Sequence, residues 1–203
     1  MSPTIAYGDT VLYPADIASL ANPEFVTDSV ISLCLEVFNE QCNKVYSISP
    51  SVIQLMKMTP SSQLKEMFSA LELPNFDIIL CPVNDSDSVT SQMSGQHWSL
   101  LCYVKKEGIV YHIDSANSFN AGSAKLITDK LSALLSASLK CRNLCCAQQN
   151  NGYDCGVFVI YFCEQIFKFF KSNKCFDSKI VQSSLPRNYR SDLLADIKAV
   201  ART

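Results

Sequence analysis

The strongest constraint on folding is the segment at residues 157–170, Val-Phe-Val-Ile-Tyr-Phe-Cys-Glu-Gln-Ile-Phe-Lys-Phe-Phe, which is apolar at nearly every position. A helix that is apolar nearly all round leaves no face for water and belongs at the centre of a core. It is entered through Gln148-Gln149-Asn150-Asn151-Gly152-Tyr153-Asp154, a polar, glycine-bearing turn, and Cys155-Gly156 stands at the junction. A helix N-terminus favours a thiolate, and the glycine beyond it lets backbone approach a substrate closely. Taken alone, Cys155 reads as a buried thiol without function; in this setting it is a candidate nucleophile.

A free thiol of pKa about 8.5 is only slightly ionised at neutral pH, and bringing such a group to about 5 takes roughly 5 kcal/mol. A helix N-terminus supplies about 0.3–1 kcal/mol, and about 2 where partly buried. The remainder calls for an adjacent imidazolium held by a carboxylate. The chain has two histidines, His97 and His112.

Both lie in a predicted hairpin. The run His97-Trp98-Ser99-Leu100-Leu101-Cys102-Tyr103-Val104 and the run Ile109-Val110-Tyr111-His112-Ile113-Asp114-Ser115 are joined by Lys105-Lys106-Glu107-Gly108, a polar link ending in glycine. Pairing Val104 with Ile109 sets Leu101 opposite His112 and carries Ser99 opposite Asp114. His97 and Asp114 then share one face as diagonal neighbours, which a loop of odd length would undo. His112 is the rival, two residues from Asp114 on the same strand face, but deeper in the sheet, and reads as a packed or supporting residue.

The order His97-Trp98, Asp114-Ser115, Gln149, Asp154-Cys155-Gly156 resembles the Ulp/sentrin-specific cysteine proteases, which remove ubiquitin-like modifiers. Ile48-Ser49-Pro50-Ser51-Val52, Leu73-Pro74 and Val83-Asn84-Asp85-Ser86 are most similar to the family's deneddylase branch. The resemblance covers residues 5–200 and implies an α+β, papain-like cysteine peptidase fold with a central mixed or antiparallel sheet flanked by helices. It implies that Cys155 attacks a terminal glycine carbonyl, that His97 moves the proton, and that Asp114 orients the ring. Gln149, with the Cys155 backbone N–H, corresponds to the oxyanion-stabilising glutamine; Gln148 takes that place if the register slips. Trp98 and Phe25 correspond to the roof over the modifier's Gly-Gly tail. Relatives carry Trp-Leu-Asn-Asp where this chain has Phe25-Val26-Thr27-Asp28, so Phe25 offers an apolar roof without an indole N–H. Asp28 matches a tail-contacting aspartate, and reads equally as an acidic first-turn residue after a Thr27 cap. The implied partner is a ubiquitin-like modifier, Nedd-type before sumo or ubiquitin, with its conjugates such as cullins.

With 203 residues, 48% of them hydrophobic, and net charge −2, the chain suits one globular domain over residues 1–203, without the basic excess that nucleic acid binding needs. Neither a secretory leader nor a membrane span is read in it, so its ten cysteines are expected as reduced thiols in the cytoplasm or nucleus. Cys34, Cys81, Cys102 and Cys163 lie in apolar runs, and Cys145-Cys146 lacks paired zinc-ligand spacing, so neither metal nor cofactor is expected. A monomer is the expected state.

Periodicity predicts a Thr27-capped helix with Val30, Ile31, Cys34, Val37 and Phe38 inward. It predicts a helix from Ser49-Pro50 through Met58, a third over residues 61–70, a strand over 76–83 and a long polar link over 84–96, a connector or a mobile substrate loop. A helix over 123–138, a strand over 143–147 and a closing helix over 187–201 complete the layout. The same order also resembles viral processing proteases and bacterial acetyltransferase effectors that form an acyl-cysteine, which remain the alternative within enzymes. A modifier-binding module with a weakened site is the alternative outside them, disfavoured because a binder has no need of Cys155 and His97.

Overall fold

The computed structural model describes residues 4–87 and 95–200. Most of the link over 84–96 lies outside the described residues, as does Ala201 of the expected closing helix. The core is a five-stranded sheet, β3 (Val45–Ser47), β4 (Ile78–Asn84), β5 (Trp98–Val104), β6 (Ile109–Ile113) and β7 (Lys140–Leu144), in that spatial order. Strands β4, β5 and β6 are antiparallel neighbours; β3 and β7 pair parallel to the outer two. The β5–β6 register sets Val104 opposite Ile109 and Leu101 opposite His112, as the even loop requires.

Strand alternation divides the apolar residues between two layers. Ile78, Leu80, Leu100 and Cys102 face α2 (Asp28–Asn39) and α6 (Cys155–Asn173), whereas Ile79, Cys81, Leu101 and Tyr103 face α3 (Pro50–Met58), α4 (Leu64–Phe68) and α5 (Ala121–Leu135). Covered on both sides, β4 and β5 bury almost every residue. Pro82 is tolerated in β4 because β3 pairs only with Ile78, Ile79 and Leu80, so the missing N–H falls past that edge.

Several elements differ from the sequence expectation. The third helix is confined to Leu64–Phe68, because Gln63 N donates to Pro60 O and closes a turn over its first residues. Strand β4 starts at Ile78, since Phe76 ends a 3-10 turn and stacks on Tyr46. Strand β7 runs over Lys140–Leu144, not 143–147: its polar residues suit an exposed edge, and Ala147 leaves the sheet to donate to Val181 O. The helix expected over 123–138 is α5, which starts at Ala121 and stops where Ser136 turns left-handed. An N-terminal hairpin, β1 (Ile5–Tyr7) and β2 (Thr10–Leu12), the helix α1 (Pro14–Ala21) and strand β3 were not anticipated. The chain closes with α7 (Tyr189–Val200). No helix among the described residues is long and apolar enough to cross a membrane. All ten cysteines are unpaired.

Helix α6 is buried at every residue from Cys155 to Cys163. Its entry is fixed by a packing constraint different from the one expected of Gly156. A Cβ there would land on Val26 Cγ2, with Ile31 and Trp98 at ordinary contact distance, so the glycine makes room for Val26 against the helix. Gly156→Ala is expected to cost about 1–3 kcal/mol through overpacking, read as a fall in the chemical denaturation midpoint; unchanged stability would show that Val26 yields freely.

Candidate active site

Cys155 is the first residue of α6 and 1% exposed. Asp154 precedes it as N-cap but does not cap with its side chain. Its carboxylate accepts from Asn151 Nδ2 at 2.7 Å and Arg190 Nε at 2.8 Å. Asn151 Oδ1 accepts from the Tyr153 and Asp154 amides, so the turn before the cysteine is closed by its own side chain.

His97 lies at the entry to β5 and Asp114 at the exit from β6, each one step beyond the hairpin's ordered ends. Asp85 clamps the backbone of His97, accepting from its N–H at 3.0 Å and donating from its own N–H to His97 O at 3.1 Å. The His97 side chain sits 2.7 Å from Asp114 Oδ1 through Nε2; an ionised carboxylate accepts only, so Nε2–H donates. That leaves Nδ1 free to serve Cys155, whose side chain acts on the ring electrostatically. Burial alone would lower the imidazole pKa, but the bond to Asp114 and the influence of the neighbouring Cys155 and Asp114 groups outweigh it, and it is raised from 6.5 to about 9.

Asp114 is buried and fully engaged. Its Oδ1 also accepts from Ala116 N at 2.8 Å, and its Oδ2 accepts from Asn120 N at 3.0 Å. Burial opposes the charge, but His97 and the two amides more than offset it and hold the carboxyl below its usual range. His112 is the packed residue of the pair. Its Nδ1 meets Asn143 Oδ1 at 3.1 Å, its Nε2 lies 3.7 Å from Asp114 Oδ2, and burial holds its pKa down.

Gln149 N donates to Ser115 O at 2.9 Å, its Oε1 accepts from Ser115 Oγ at 2.7 Å, and its Nε2 donates to Asn151 O at 2.7 Å. It thus links the Asp114 end of β6 to the turn carrying Cys155, with one N–H of Nε2 still to give. Gln148 turns the other way, donating to Asp114 O and accepting from Asn117 N. Trp98 packs by Gly156, and Phe25, next to the Val26 that touches the same glycine, is 50% exposed. Asp28 stands in the first turn of α2 and accepts from Ser29 N, a position compatible with both of its readings.

Two residues here escaped the sequence reading. Arg190, on α7, donates to Asp154 and to the carbonyls of Ser19, Leu20, Asn22 and Glu24, and lies 5.5 Å from the Tyr153 ring centroid. The carbonyls of Ser19 and Leu20 belong to the end of α1, where a cation is favoured. Phe119 packs edge-on against His97.

A buried thiol, imidazole and carboxylate in series, with the thiol at a helix N-terminus, define a cysteine-type peptidase site in arrangement. Residues 19–187 match the Ulp1 protease family, C-terminal catalytic domain. The chain is 32% identical to the probable sentrin-specific protease 8 of Dictyostelium discoideum, over 89% of this chain and 83% of that one. It is 34% identical to NEDD8-specific protease 1 of Arabidopsis thaliana, over 83% and 76%. Its fold matches the C-terminal Ulp1 protease domain solved in complex with Smt3, the yeast orthologue of sumo, with TM-score 0.70 and 19% identity over 99% of this chain and 89% of that one. The chain belongs to the Ulp1 family of cysteine peptidases.

Two predictions follow from this geometry. Protonated His97 stabilises the fold fully below its unfolded pKa of 6.5, and that contribution is lost as pH rises through about 9. The stability gap between wild type and His97→Gln should therefore shrink from pH 6 to pH 10 in urea titrations; the comparison cancels buried thiols, which titrate in both. A gap that widens would contradict the assigned pairing. Arg190→Ala should cost about 1–3 kcal/mol by leaving Asp154 Oδ1 and the α1 carbonyls without their donor, with at least a tenfold fall in kcat/KM, and Arg190→Lys should not restore either. Full activity in Arg190→Lys would show that charge alone suffices.

Proposed function

We propose that this peptidase cleaves the amide bond after the C-terminal Gly-Gly of a Nedd-type ubiquitin-like modifier, freeing it from lysines of conjugates such as cullins and from its precursor tail. The observation that carries the reading is the buried His97, joined to Asp114 at 2.7 Å and bearing on Cys155 at a helix N-terminus. The names of the relatives at 32–34% identity support the choice of modifier.

In this reading the Cys155 thiolate attacks the glycine carbonyl carbon, and the electron pair moves to oxygen. The Cys155 backbone N–H, free of an intrahelical partner, and the spare Gln149 N–H stabilise that oxyanion. As the C–N bond breaks, imidazolium His97 gives its proton to the departing nitrogen, leaving a thioester. His97 then takes a proton from water, the hydroxide oxygen bonds to carbon, and the C–S bond breaks to restore the thiolate. Asp114 holds the ring throughout. Phe25 and Trp98 roof the tail, and Asp28 contacts it.

Matched C-terminal aminocoumarin conjugates of Nedd-, sumo- and ubiquitin-type modifiers test this. Nedd-type turnover should lead in kcat/KM by at least tenfold, about 1.4 kcal/mol, and Cys155→Ala should abolish it while leaving modifier binding intact. Sumo preference would overturn the modifier assignment. Cys155→Ala activity within tenfold of wild type would end the nucleophile assignment.

A further inference from the structure

We propose that Phe119 is the leaving-group subsite, taking the four-carbon stem of the lysine whose isopeptide bond is cut. This rests on the peptidase reading above.

Phe119 is 70% exposed, yet its ring is placed: it stands edge-on to His97, centroids 5.5 Å apart and planes at 82°. The backbone around it is fixed. Asn117 and Ser118, just before it, both take left-handed conformations, with φ of 53° and 63°. Phe119 N donates to Ala116 O at 3.1 Å. Asn120, just after it, is buried, donating from its backbone to Asp114 and from Nδ2 to Val83 O at 2.8 Å and Ser99 Oγ at 3.1 Å. A large apolar side chain is thus held in solvent beside the proton donor by polar contacts that would tolerate a small residue equally well.

The chemistry says which part of the substrate passes there. After acyl transfer the modifier tail stays on Cys155, beside Trp98 and Val26, which both pack at Gly156. The departing nitrogen must come within about 3 Å of the His97 nitrogen that protonates it. In an isopeptide that nitrogen is followed at once by four methylenes, and lysine stems lie along apolar surfaces while their polar end faces outward. A ring centred 5.5 Å from the imidazole is where such a stem would lie.

The alternative is a cover that merely keeps water from the His97–Asp114 bond. A cover acts on every substrate alike; a stem subsite acts only on substrates with a stem. The test compares two amides of the same modifier, one to the ε-nitrogen of a blocked lysine and one to methylamine, whose similar basicity makes the same demand on His97. Phe119→Ala should lower kcat/KM on the lysine amide at least tenfold and on the methylamide less than threefold, with Phe119→Leu restoring most of the loss. Equal losses on both amides, or no loss on either, would overturn the subsite. Failure of the wild type to cleave either amide would instead overturn the peptidase reading.

Discussion

A helix buried along one whole turn after another must be placed before anything else in the molecule can be packed. In α6 every residue from Cys155 to Cys163 is out of water, so the sheet must cover one side and α2 the other. That demand fixes the reacting group as well. Gly156 has no room for a Cβ because Val26 stands there, with Trp98 of β5 in contact beside it, so the first turn of α6 packs directly on the start of β5. Because β5 starts one residue after His97, holding α6 against β5 also holds thiol and imidazole together. Packing of the apolar core, not a flexible loop, sets the distance on which proton transfer depends.

The second constraint is the buried charge on Asp114. A carboxylate removed from water is costly unless its lone pairs are met. Here His97 and the amides of Ala116 and Asn120 meet them, and Asn120 is itself tied to β4 and β5. This accounting separates the two histidines. His112 lies beyond hydrogen-bond distance of Asp114 and spends its other nitrogen on Asn143, whereas His97 completes the carboxylate's shell. The more exposed end of the hairpin is the one that carries a raised imidazole pKa, because there the ring gains Asp114 as a partner and Cys155 as a neighbour.

Much of this was legible in the sequence because it is local. The β5–β6 register follows from a loop of even length, the start of α3 from Ser49-Pro50, and the placement of α6 from its unbroken apolar run. What was illegible is what long-range contacts decide. Strands β1, β2 and β3 are three residues each, too short for periodicity, and β3 exists by pairing with β4. The polar β7 was misplaced because an edge strand need not alternate. Arg190 reaches carbonyls 166 to 171 residues away and Asp154 at a separation of 36, so no motif spacing could flag it. Gly156 was recognised, but its reason was not: glycine before an apolar helix suggests a close approach without saying whose.

At the reacting atoms, exposure sets a limit on what can bind. Cys155 is 1% and His97 5% exposed, so the carbonyl carbon has to reach a thiol that is already almost enclosed. An extended tail ending in glycines is the peptide chemistry that passes through such an approach. The departing side is different. There His97 is bordered by an exposed aromatic ring, which can accept bulk that the acyl side refuses. On the function proposed above, an enclosed thiol suits a tightly specified acyl residue, while an exposed ring beside His97 suits an attached partner that varies.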